Sequence, residues 1–212
     1  MKQKLDAIRK ADKRLPLGLK IAISIALLLL GVGLGVLQKY LDSTAVNELP
    51  AFLQTLDITN FFGRFAIWIF LGVVISIYCE SPFRACLNCF LFFAGMVAAY
   101  YIYCKFVLGF LPTGYMLIWL GAGVGSVIPA FLCWYAKGEG IVALIISGII
   151  LGVLFSQAFL FIHGFGVTHL PEVVVFVLAL FVLRRKPKEF LIEIGIALLV
   201  AVVYQLFVPV WG

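Results

Sequence analysis

Gly140–Ile162 reads GIVALIISGIILGVLFSQAFLFI, 23 residues without one charged side chain. A helix needs about 20 mostly apolar residues to cross the hydrocarbon core of a bilayer, so this stretch is long enough to do so. Hydrocarbon offers backbone N–H and C=O groups no partner, and a helix satisfies them locally. The run also lacks the in–out alternation of a membrane β-strand. Similar stretches recur near Leu17–Leu37, Phe65–Tyr78, Pro82–Tyr103, Leu111–Tyr135, Glu172–Leu183 and Phe190–Val208. Glu172–Leu183 is short, and the length rule places its start nearer Val167. The fold class expected is all-α: a polytopic transmembrane helix bundle of about seven spans.

Composition agrees. The chain is 64% hydrophobic and 12% charged, with a mean hydropathy of +1.16, which excludes a water-soluble domain of 212 residues. Roughly 60 residues fall outside the spans, too few for a second globular domain. Residues 1–16 read as a basic amphipathic cytoplasmic segment, with Leu5, Ile8 and Leu15 near one face, lying on the inner leaflet and ended by Pro16. Residues 17–212 read as one transmembrane domain. Its long external loop, 38–64, has Leu49, Phe52, Leu53 and Leu56 on one face after a capping Asn47. That loop is an interfacial connector or a lid over an outward-facing cavity. The first span is longer than a signal-peptide core and no A-x-A site follows it, so it reads as a retained anchor.

Basic residues set the orientation. A cytoplasmic N-terminus places Lys2, Lys4, Arg9, Lys10, Lys13, Arg14, Lys20, Arg84, Lys137, Arg184, Arg185, Lys186 and Lys188 inside, and only Lys39, Arg64 and Lys105 outside. Seven spans then leave Gly212 outside. The net charge of +6 reports this orientation and contact with anionic lipid, with no nucleic-acid partner implied. The partners expected are the bilayer itself and a membrane protein or second copy. The location expected is the cell membrane, multi-pass, in a bacterial cytoplasmic membrane.

Polar groups within spans are the candidates for function. Glu193 is the one carboxylate well inside a span, where a charge must be paired, protonated or snorkelled, with Lys186 or Lys188 in reach. Gln205 lies three turns further along and extends a possible polar stripe. Ser156 and Gln157 sit deep in the fifth span. Gly121, Gly123, Gly125, Ser126 and Pro129 punctuate the fourth, and Gly plus Pro can unwind a helix and free carbonyls for a ligand. A candidate polar pathway therefore comprises Glu193, Gln205, Gly125, Ser126, Pro129, Ser156 and Gln157. At the cytoplasmic ends of spans two and three, Ser81 or Glu80 caps the third span with Pro82 at its first turn. Glu80 and Arg84 can pair there, with Asn88 on the face of Arg84, as a candidate cytoplasmic gate or docking point.

Other groups carry less. Gly31/Gly35 and Gly148/Gly152 have the small-xxx-small spacing of close helix packing. Cys86-Leu87-Asn88-Cys89 spells C-x-x-C without a preceding strand or a second ligand pair, and the five cysteines imply no disulfide framework. His163, His169 and Glu172 lie in one outer loop, but a metal site wants three or four convergent ligands. No metal or other cofactor is implied. Trp68, Trp119, Trp134 and Trp211, with Tyr115 and other tyrosines, fall near span ends as an interface belt. Spans two to four and five to seven, compared as inverted three-helix units, share little beyond Gly-rich apolar texture.

Ser81-Pro82-Phe83-Arg84-Ala85, Phe92-Phe93-Ala94-Gly95-Met96 and Cys133-Trp134-Tyr135-Ala136-Lys137-Gly138 together resemble a group of small polytopic bacterial membrane proteins that carries a domain of unknown function. The resemblance implies a multi-pass fold and no activity. From the residues, the first functional expectation is a small permease or the membrane subunit of a transporter. With no Walker loop, its energy would come from an ion gradient or a partner. The alternative is a non-transporting accessory, immunity or assembly protein acting through membrane partners. An intramembrane enzyme fits worst: there is no H-E-x-x-H, no G-x-S-x-G and no pair of carboxylates within a span.

Overall fold

A computed structural model describes residues 2–11, 15–162 and 164–208. Lys13, Arg14, His163, Trp211 and Gly212 lie outside the described residues, as do the side chains of Lys2, Lys4 and Tyr115. Every apolar stretch of the sequence is helical over most of its length. In chain order these are α1 (Lys2–Ile8), α2 (Leu17–Ser43), α3 (Ala51–Thr55), α4 (Ile58–Phe61), α5 (Phe65–Tyr78) and α6 (Pro82–Phe106). They are followed by α7 (Thr113–Gly125), α8 (Val127–Trp134), α9 (Gly140–Ala158), α10 (Leu170–Val182) and α11 (Pro187–Phe207). Between α9 and α10 a two-residue hairpin pairs β1 (Phe159–Leu160) with β2 (Gly166–Val167). Among the described residues five helical segments are long and apolar enough to cross a membrane: α2, α6, Met116–Lys137 (α7 through the 3-10 turn after α8), α9 and α11. α5 and α10 are equally apolar but have only 14 and 13 residues, about 20 Å of helix each.

Glycine decides how the long helices pair. α2 lies along α6, and α9 along α11. A Cβ on Gly31 would run into the carbonyl of Phe92, and one on Gly35 into that of Met96. On the other side, a Cβ on Gly152 would sit 2.5 Å from the Ala197 carbonyl, and Ser156 Oγ donates to the Ala201 carbonyl at 3.3 Å. Each pair of contacts advances four residues on both helices, so α2 runs parallel to α6 and α9 parallel to α11. The chain must therefore return between the members of each pair, and α5 and α10 make those returns. The units are long–short–long, α2–α5–α6 and α9–α10–α11, both running the same way, with α7–α8 between them. The sequence sets spans two to four against five to seven, and no repeat is established there.

The two short helices meet in the centre. Ala66, Val73 and Ile77 of α5 share a core with Val175 and Ala179 of α10 and with Leu151 and Leu154 of α9. A second core lies between α5, α6 and α8, around Trp68, Phe92 and Ala130. Trp68 and Trp134 are both almost fully buried and donate to the carbonyls of Phe62 and Cys79. They are interior residues rather than members of an interface belt.

The ends differ from expectation in detail. The amphipathic segment ends its helix at Ile8 and folds against the bundle, with Leu5, Ile8 and Ala11 against Ala85, Trp134 and Tyr135. Arg9 donates to the carbonyls of Trp134 and Ile77 (2.8 Å to the latter), at the C-terminal ends of α8 and α5. A cation there meets the negative ends of two helix dipoles. Burial draws the Arg9 guanidinium below its ordinary value, yet an arginine keeps its charge. At the other end α2 continues to Ser43. Asn47 falls in a 3-10 turn, Val46–Glu48, and caps nothing; the next helix, α3, starts after Pro50. The loop packs inward through Phe61, which is buried, and Phe62. The sixth span begins at Leu170, after the hairpin, and not at Val167.

Candidate functional site: an apolar groove at the break in the fourth span

α7 and α8 are one span with a single interruption at Ser126. Its cause is local. Pro129 has no N–H to offer the carbonyl of Gly125, four residues back. The helix re-forms at once, since Ala130 N–H donates to the Ser126 carbonyl at 3.0 Å. In front of the break lies a groove of about 390 Å3, walled by α5, α6, α7 and α8. Trp68 and Gly72 of α5, Phe93 and Val97 of α6, and Trp119 and Gly123 of α7 form its sides, with Gly125, Ser126 and Pro129 at its edge.

The groove is apolar because its few hydroxyls are turned away. Ser76 Oγ donates to the Gly72 carbonyl at 2.6 Å, and Ser126 Oγ to the Gly123 carbonyl at 2.7 Å. Cys89 Sγ donates to the same Gly72 carbonyl at 3.3 Å. What remains is methyl, methylene and aromatic surface. Gly121 and Gly125 have nothing within 4 Å of where a Cβ would be, so close helix packing does not explain them. A volume in the range of small-molecule sites, with apolar walls, suits a chain-like apolar group.

The remaining pathway candidates do not join this groove. Ser156 is spent on the Gly152 and Ala201 carbonyls. Gln157 Nε2 donates to the Tyr204 hydroxyl at 3.0 Å. Gln205 ties α11 to the hairpin, donating to the Phe159 carbonyl and accepting from Phe161 N–H. Glu193 is fully buried at the opposite end of α11, with Arg185 Nε 3.7 Å from Oε1. Its cation is Arg185, not Lys186 or Lys188. Arg185 also donates to the carbonyls of Ala136 and Gly138 and to Ser147 Oγ. The polar stripe from Glu193 to Gln205 is thus two separate structural fastenings.

Glu80, Arg84 and Asn88 do come together, around α2. Ser81 caps α6 by accepting from Arg84 N–H at 3.3 Å, and Pro82 occupies the first turn. Glu80 pairs with Lys20 at 2.8 Å rather than with Arg84. Arg84 Nη2 donates to the Lys20 carbonyl and, at 3.1 Å, to Ser24 Oγ. Ser24 Oγ in turn donates to Asn88 Oδ1 at 2.6 Å. Sequence reasoning found the α6 side of this cluster and missed Lys20 and Ser24, whose distance along the chain hides them.

At the far end Arg64 bonds the buried Glu172 and, at 2.7 Å, Asp57, with His169 3.8 Å from Asp57. Burial by itself pulls Arg64 down, but its bonds to Glu172 and Asp57 hold it above its ordinary value. Asp57 adopts a left-handed backbone, φ 51°, which an aspartate tolerates. Among the described residues no group of three His, Cys, Asp or Glu is placed to hold a metal ion. Cys86 and Cys89 point to different helices, Cys86 Sγ to the Val127 carbonyl at 3.4 Å, and all five cysteines are free.

An all-α bundle with five apolar helices of crossing length, and an apolar groove in its side, is a membrane-embedded protein. No protein-family model, curated protein or solved structure matches the chain.

Proposed function

We propose that the chain is a small permease, or the membrane subunit of a transporter, for amphipathic molecules with an apolar chain. The observation that carries this reading is the groove at the broken fourth span, whose apolar walls suit a chain. Seven crossings, with the N-terminus in the cytoplasm and the C-terminus outside, belong to the same proposal. The parallel run of α2 with α6 and of α9 with α11 supports them, since each requires a return crossing by α5 or α10. Lys20, Arg84 and Arg185 also gather at one end of the bundle beside Arg9, as a cytoplasmic face requires. A bacterial cytoplasmic membrane, and kinship with the small bacterial membrane proteins it resembles, are parts of this reading.

The second reading, an accessory protein acting on membrane partners, draws on the local bonding of Ser156, Gln157 and Gln205, which leaves them no cargo to hold. One assay separates the two. Phosphatidylcholine vesicles carrying the protein and a trace of phospholipid labelled with a nitrobenzoxadiazole dye on a short acyl chain are treated with dithionite. Transport predicts that inner-leaflet dye is bleached faster than in protein-free vesicles, and that Gly123→Phe, which fills the groove, removes the gain. A Cβ at Gly123 has room, 4.0 Å from Phe93 Cβ. Equal bleaching with and without wild-type protein would favour the accessory reading.

A further inference from the structure

A second cavity, about 340 Å3, opens between α2, α5 and α6 at the end that holds Lys20 and Arg84. It lies on the side of α5 away from the groove: Val74, Ile75 and Tyr78 line it, where Trp68, Gly72 and Ser76 line the other. Its chemistry is also different. One part is apolar, formed by Ile23, Leu27, Val74 and Ile75, and the mouth at the span end carries Lys20, Glu80 and Arg84. We propose that this cleft binds one phosphatidylethanolamine, headgroup at the charged mouth and an acyl chain along the apolar wall. This does not rest on the transport reading.

Three observations specify the occupant. Glu80 uses Oε1 on Lys20, while its Oε2 is buried with no hydrogen-bond partner among the described residues. A buried carboxylate oxygen without a donor is costly, and a primary ammonium supplies N–H donors and a positive charge together. Beside it, both bonds that Arg84 makes among the described residues leave through Nη2, so Nε and Nη1 remain to donate there, as do two N–H of Lys20. Those are the donors a phosphate diester asks for. Asn88 also lines the cavity, but its Oδ1 is already taken by the buried Ser24, so the polar part of a ligand stays with Lys20, Glu80 and Arg84.

An ammonium next to a phosphate next to a chain is the order of groups in phosphatidylethanolamine. Phosphatidylglycerol has the phosphate but no cation for Glu80. Phosphatidylcholine has the cation but no N–H on it. A soluble phosphoethanolamine would leave Ile23, Leu27, Val74 and Ile75 facing nothing. The place fits as well: the charged mouth is at a span end, where headgroups lie.

The full chain, purified in mild detergent and exchanged into nanodiscs of phosphatidylcholine with equal minor amounts of phosphatidylethanolamine and phosphatidylglycerol, is released into a native mass spectrometer. The expected result is one retained phosphatidylethanolamine, preferred over each of the others by at least about ten-fold. Glu80→Gln should keep a lipid but lose the preference over phosphatidylglycerol. Val74→Trp, which fills the apolar wall, should retain none, with its thermal melting in detergent as the control for folding. Retention of all three lipids in the proportions supplied, or of phosphatidylglycerol alone, by the wild type would overturn the proposal. So would a preference that survives Glu80→Gln.

Discussion

Among the described residues Glu193 is fully buried with no hydrogen bond to either carboxylate oxygen, and Arg185, at 3.7 Å, is the one cation within 4 Å of it. Arg185 is better provided for, holding two carbonyls and Ser147 besides. The two residues therefore predict opposite mutational costs. Arg185→Ala strands a buried carboxylate and breaks three other bonds, and should destabilise by about 3–5 kcal/mol. Glu193→Leu removes the stranded group and leaves those bonds intact, so it should shift stability by less than about 1 kcal/mol. Thermal unfolding in one detergent checks both; equal losses would contradict this account of the pair. The sequence marks Glu193 as exceptional because it is a carboxylate in an apolar helix. It does not name the partner, since Lys186 and Lys188 are as near along the chain and only the turn before α11 aims Arg185 inward. Lys20 with Glu80, and Arg64 with Glu172, are hidden for the same reason.

Helices are where the sequence is most readable. The apolar run Phe65–Tyr78 is α5 to the residue, and Ser81 with Pro82 marks the start of α6. Gly31/Gly35 and Gly148/Gly152 announce close packing, and both pairs deliver it. Spacing cannot say which helix they meet, so the grouping into two parallel units emerges only from the contacts. The glycines differ sharply within one helix: Gly31 and Gly35 touch the backbone of α6, while Gly33 has nothing within 4 Å. Gly31→Ala and Gly35→Ala should each cost about 1–3 kcal/mol by forcing α2 from α6. Gly33→Ala should leave the melting temperature in place. If all three behave alike, α2 does not sit on α6 as described.

At the scale of the molecule, hydropathy finds the apolar stretches but not their division of labour. α2, α6, α9 and α11 pair through small residues, and the fourth span breaks where a proline follows two glycines. α5 and α10 stand in the middle, too short to span a bilayer of about 30 Å by themselves. Burial among the long helices and the fastening of their ends by Arg9, Arg64 and Glu172 hold them there. The groove and the headgroup cleft both follow from this plan, one on each side of α5. If α5 did not cross, α6 would run against α2 instead of with it, and neither cavity would have its walls.

The crossing of α5 is therefore the claim to measure. Single cysteines at Ser43, Phe83, Phe110 and Lys186, in a chain with Cys79, Cys86, Cys89, Cys104 and Cys133 replaced, are treated in intact cells with a membrane-impermeant maleimide. Seven crossings with an internal N-terminus predict labelling from outside at Ser43 and Phe110, and at Phe83 and Lys186 only after permeabilisation. Labelling of the Phe83 position from outside, with Phe110 protected, would mean that α5 does not cross and would contradict the account.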